Sequence, residues 1–126
     1  MTEQNNEQNE QLIYESVESL KEYLPKLIQG IEKVLEYIEV KDEKEAFTLL
    51  VQVIEGLQWS FEVAILTAPT FDRLGMIVDQ EHILNILNEL VSAIQNRDLI
   101  LMSDLLEYEI LEVLRLWQKN LYLRSS

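Results

Sequence analysis

Residues 13–38, IYESVESLKEYLPKLIQGIEKVLEYI, decide the fold class. Ile13, Val17, Leu20, Leu24, Leu27, Ile31, Val34 and Ile38 follow one another at alternating steps of four and three. That period lays all eight along one side of a helix. The opposite side carries Glu15, Glu18, Glu22, Lys26, Gln29, Lys33 and Glu36. Pro25 removes one backbone donor inside the run but leaves the phase intact, so one helix kinked near Pro25 is expected rather than two helices. Gly30 is a second weak point, because glycine inside a helix costs about 1 kcal/mol relative to alanine.

Working outward, the chain breaks at three places. Asp42 and Glu45 make a D-x-x-E start for a second helix, with Asp42 as its N-cap. Its core face is expected to be Phe47, Leu50, Ile54, Leu57, Phe61 and Ala64, ending before Pro69. Residues 67–78, with Pro69 and Gly75, read as the long connection, with room for a helical turn of its own. A third helix is expected to begin at Asp79, where Val78 and Ile83 suit a hydrophobic staple. Its seam is Ile83, Leu87, Leu90 and Ile94. Asn96-Arg97-Asp98 then turns the chain, and Asp98 caps a fourth helix with Met102, Leu106, Ile110, Val113 and Trp117 inward. Short connections make neighbours antiparallel, so the expected architecture is an all-α, up-and-down four-helix bundle over residues 11–124. Residues 1–10, MTEQNNEQNE, lack apolar periodicity and read as a disordered polar tail.

Composition agrees with few, long helices. The 126 residues include three glycines and two prolines, far below the usual share of about 12%. The hydrophobic fraction of 48% excludes a disordered chain, and the absence of cysteine excludes disulfides and thiol chemistry. With 23 acids against 10 bases, the net charge of −13 disfavours nucleic acid and anionic membrane as partners. The N-terminal residues do not resemble a secretory signal, and no long uninterrupted apolar run occurs, so a soluble cytoplasmic protein is expected.

Chemistry finds little purchase. His82 is the one histidine, and Asp79-x-x-His82 is a single half of the paired motif that a di-metal bundle requires. It reads more simply as a capping aspartate followed by an exposed first-turn residue. Carboxylates recur on polar faces (Glu18/Glu22, Glu32/Glu36, Glu55/Glu62), where nothing gives the members of a pair the two different environments that acid–base catalysis needs. Glu109 lies beside the fourth seam, where its stem can cover apolar surface. No nucleophile elbow and no glycine-rich phosphate loop occur. The expectation is a non-enzyme without catalytic residues, metal or cofactor.

The stretch Asp98-Leu-Ile-Leu-Met-Ser-Asp-Leu-Leu-Glu-Tyr-Glu-Ile-Leu resembles the D-x-x-L-x-x-D-L-L-E-Y-E-L segment of small uncharacterised helical proteins from Gram-positive bacteria. Met102 stands where an aliphatic residue is usual, and Ile110 where leucine is. The resemblance covers about 15 residues, implies a helical bundle, and brings no functional residue with it. Asp104, Glu107 and Tyr108 within it read either as a polar cluster with a neighbouring helix or as a solvated face.

One lead remains: apolar residues beyond the seams. Trp59, Val63 and Leu66 run along the second helix away from its core face, and Leu101, Leu105, Tyr108, Leu116 and Leu123 do so on the fourth. A monomeric bundle buries one stripe per helix, so a second stripe reads as a skewed bundle, a homodimer interface or a groove for a partner helix, or else as scattered surface residues without a role. The expected function is an acidic, adaptor- or chaperone-like interaction module whose partner is another protein or a second copy. Trp59, Val63, Leu66, Leu101, Leu105, Tyr108 and Leu116 are the candidate interface. The alternative is a small-ligand or metal-binding bundle with a pocket near Trp59, Tyr108 and Trp117.

Overall fold

The structure is a computed structural model that describes residues 2–73 and 78–124. The described residues are helical apart from short links, with no strand. In chain order they form α1 (Thr2–Glu39), α2 (Glu43–Leu66), α3 (Ala68–Arg73), α4 (Gln80–Gln95), α5 (Leu99–Asp104), a π-helical segment (Leu105–Ile110) and α6 (Leu111–Arg124).

α1 is one helix through Pro25. Seven residues of its inner side, Val17 to Val34, are buried, and Ile13 and Ile38 pack half-buried against the same core. The helix begins at Thr2, where the sequence alone suggests an unstructured tail. From Glu7 to Leu12 its side chains are exposed, so this polar extension adds no packed surface.

α1 and α2 are joined by a three-residue link built twice in this chain. Asp42 N–H donates to Tyr37 O at 2.8 Å and Lys41 N–H to Ile38 O at 3.1 Å. That pair of bonds is a Schellman motif, with Lys41 in the left-handed region at φ 65. Asp42 then accepts the N–H of Glu45 on its side chain and opens α2. Between α4 and α5 the arrangement recurs. Asp98 N–H reaches Ala93 O at 2.9 Å, Arg97 N–H reaches Ile94 O at 3.1 Å, and Arg97 has φ 52. Asp98 accepts from Leu101 N–H. One aspartate therefore closes one helix and starts the next, which makes both reversals abrupt without a glycine. Asp79 caps α4 as expected, accepting from His82 N–H at 3.1 Å.

The buried stripe of α2 differs from the expected one. Leu50, Leu57, Phe61 and Ala64 are buried, but Phe47 and Ile54 are only half-buried. Ala46, Val53, Gly56 and Ser60 complete the inner face. These small residues let α1 approach closely: Gly30 faces Val53, and Gly56 faces Tyr23 and Leu27. A periodicity count weighted towards bulky residues rotates the stripe the wrong way. α4 shows the same rotation, burying Ile83, Ile86, Leu90 and Ala93 while Leu87 and Ile94 stay half-buried.

The expected fourth helix is continuous from Leu99 but changes winding at Leu105. Leu111 N–H donates to Leu106 O, five residues back, as in a π turn. The wider turn inserts an extra position after the buried pair Leu105 and Leu106, so that Leu111 is buried together with Ile110. Beyond it Leu114 takes the inward place expected for Val113, and Trp117 and Leu121 follow. Trp117 packs edge-on between Phe61 and Phe71, at centroid distances of 5.9 and 5.8 Å. Phe71 comes from α3, the helical turn that Thr67 starts by accepting Phe71 N–H. Gly75 and the rest of 74–77 lie outside the described residues.

Contacts between helices run in opposite numerical order. Tyr23 meets Trp59 while Gly30 faces Val53. Lys21 lies over the Tyr122 ring, and Glu32 approaches Arg115 at 3.7 Å. α2 is the one described helix long and apolar enough to cross a membrane, which the absence of a long uninterrupted apolar run did not suggest. Gln52, Glu55, Gly56, Gln58, Ser60 and Glu62 break its apolar runs without making it polar on average. A core helix passes the same test, and the inner face of α2 is occupied by α1.

Candidate functional site

The residues displaced from the expected seams reappear together. Phe47, Leu50, Val51 and Ile54 of α2 face Val91 and Ile94 of α4 across a cavity of ≈ 390 Å³. Further along, Phe61, Ile65 and Leu66 face Leu84 and Leu87 across a second cavity of ≈ 260 Å³. Both lie in one apolar groove between α2 and α4. Half-buried Phe47, Ile54, Leu87 and Ile94 form its walls, while Val51 (61% exposed), Leu66 (72%) and Leu84 (42%) stand at its open side. Such a trough leaves contiguous apolar surface in water, the kind whose burial is favourable.

Polar groups are few and of one sign. Glu55 and Gln95 border the first cavity, Gln58 and Glu62 the second, and neither lining contains a basic side chain. Neither glutamate forms an ion pair with another described residue. At the end of the groove Arg97 stacks its guanidinium on the Phe47 ring, 4.4 Å from the centroid.

Glu55 also borders a shallow notch on the other side of α2, lined by Ser19, Tyr23, Gln52, Gly56 and Trp59. Tyr23 and Trp59 meet there edge-on, with centroids 5.5 Å apart. Trp59 remains 40% exposed.

The candidate interface residues separate in the structure. Leu66 belongs to the groove and Trp59 to the notch. Val63 is half-buried against the core. Leu105 does not belong to any exposed face: it is 5% exposed, three residues on from buried Met102 and reached by ordinary α winding, since its N–H donates to Leu101 O. Leu101, Tyr108 and Leu116 point outward from α5, the π segment and α6. Of the three aromatics named for the alternative pocket, Trp59 meets Tyr23, Trp117 is buried between Phe61 and Phe71, and Tyr108 is exposed. The α4 wall of the groove was hidden in the sequence, because Leu87 and Ile94 read as seam positions.

His82 and Glu109 approach at 3.7 Å, both about half exposed. Glu107 borders an acidic cleft with Glu32, Glu36, Glu39 and Arg115. No three described His, Cys, Asp or Glu residues are grouped to hold a metal.

A family model matches residues 15–120, the model of a domain of unknown function, DUF8042. The chain belongs to that family. The match starts just after Ile13, where the seam of α1 begins, and extends to within a residue of buried Leu121. It therefore includes both walls of the groove and the Asp98–Leu111 stretch in which the helix winds as π. No curated protein and no solved structure matches the chain.

Proposed function

We propose that this DUF8042 protein is a non-enzymatic interaction module whose docking surface is the α2–α4 groove. The observation that carries the reading is the groove itself: two apolar cavities in line, opened to water between two helices. In this reading α1, α2, α4 and the α5–π–α6 run form an antiparallel, up-and-down four-helix bundle. The opposed order of the contacts Tyr23–Trp59, Glu32–Arg115 and His82–Glu109 supports it. A bend at Pro25 belongs to the same reading, because the proline cannot donate to the carbonyl four residues earlier. The groove is then an inter-helix seam that stays open and mainly apolar at its outer side, and a partner segment completes it.

Site-specific photocrosslinking in cells tests this. A photoreactive residue at Val51 or Leu84 is expected to give a discrete covalent adduct with another polypeptide, and one at exposed Gln29 none. Equal labelling at all three positions, or none at Val51 and Leu84, would contradict the proposal.

A further inference from the structure

We infer that the occupant of the groove is a basic amphipathic helix of another protein, an inference that rests on the groove's being a docking surface. Three features select that chemistry.

The first is shape. The cavities are centred about 8–12 residues apart along the groove-forming helices, which at 1.5 Å per residue is about 12–18 Å. On a ligand helix that distance separates side chains about 8–12 positions apart, the span of an i, i+4, i+7, i+11 stripe. The walls are side chains of two helices, whose backbone groups are already paired. An extended peptide laid in such a trough would leave its own amides without partners, whereas a helix satisfies them internally.

The second is charge. Glu55 and Glu62 border the apolar floor seven residues apart, with no basic side chain in either lining. Arg97, at the end, is engaged on Phe47. Lysine or arginine beside the ligand's apolar stripe meets these carboxylates. A second copy of a chain with net charge −13 would bring more of the same sign to the groove.

The third is the notch. Glu55 is shared between the groove and the Tyr23–Trp59 notch. A long cationic side chain passing Glu55 reaches the half-exposed Trp59 ring, which attracts a cation through its π face.

The test uses the full chain and two synthetic helical peptides in fluorescence anisotropy. Both carry leucine at i, i+4, i+7 and i+11; one has lysine at the flanking positions and the other glutamate. The lysine peptide is expected to bind about tenfold tighter at low salt, with the advantage shrinking as salt screens it. Glu55→Gln combined with Glu62→Gln is expected to erase most of the preference. Leu84→Glu is expected to abolish binding of both peptides even though it adds negative charge, which separates docking from mere attraction to an acidic protein. Val51→Glu is the second variant should Leu84→Glu lower the unfolding midpoint.

Equal affinity for the two peptides, with Leu84→Glu abolishing both, overturns the basic-helix assignment and leaves the groove reading standing. Lysine-peptide binding that survives both groove variants overturns the assignment as non-specific. So does failure of both peptides to bind, or a dimer in sedimentation equilibrium that Leu84→Glu dissolves. The photocrosslinking result decides the groove reading separately.

Discussion

Tyr23 sets its hydroxyl into the space that a β-carbon on Gly56 would occupy, and Leu27 Cδ1 stands 3.1 Å from the same point. A β-carbon there would force Tyr23 to shift, in a helix where alanine would otherwise be favoured by about 1 kcal/mol. Gly56→Ala is expected to lower stability by about 1–3 kcal/mol through overpacking. In a Tyr23→Ala background Leu27 can give way, and the same substitution should become stabilising by about 0.5–1 kcal/mol. Urea unfolding of the four proteins of this cycle reads the sign change directly; additive losses would show that Tyr23 is not the obstacle.

The twin links make a second expectation. Lys41 and Arg97 occupy the left-handed position that glycine takes at most helix ends, at a cost of about 1 kcal/mol each. Lys41→Gly should therefore stabilise the protein by about 0.5–1 kcal/mol. Arg97→Gly should gain less, because it also loses the stacking on Phe47, a contact that contributes about 0.5–1 kcal/mol. Thermal or chemical unfolding compares the two, and equal gains would mean that the Arg97–Phe47 contact contributes nothing.

The π segment makes a third. A π turn is an α-helix with one residue inserted, so removing one residue from Leu105–Ile110 should restore α winding with both flanking faces still inward. Deletion of exposed Tyr108 is expected to leave a cooperatively folded helical protein. Deletion of exposed Asn88 in α4 should not, because it turns Leu90 and Ala93 about 100° away from the core. Circular dichroism with thermal melting separates the outcomes. Unfolding by the Tyr108 deletion would show that the segment cannot revert.

Much of this architecture can be read from residue order because its signals are local. The α1 seam and the capping roles of Asp42, Asp79 and Asp98 each depend on residues within one or two turns. What escapes such reading depends on neighbours distant in sequence. The buried stripe of α2 turns towards Ala46, Gly56 and Ser60 because α1 can approach only where side chains are small. Leu105 is inward as well, at i+3 from buried Met102, a place on the same face that a seam drawn through Leu106 passes over. Both errors affect the site. Phe47, Ile54, Leu87 and Ile94 pack against the core as their spacing suggests but only half-buried, so that they also wall the groove, while Leu105 looks like surface and is core. Leu66 and Trp59 could be picked out in advance because they lie off any seam their helix could use.

The most direct test of the groove as the docking surface for a basic helix is an amide chemical-shift titration with the leucine–lysine peptide. The shifts are expected to concentrate on Val51, Ile54, Leu84 and Val91, with Trp59 moving as the notch fills and Gln29 unmoved. Shifts centred on Leu101, Tyr108 and Leu116, with the α2–α4 residues silent, would contradict it.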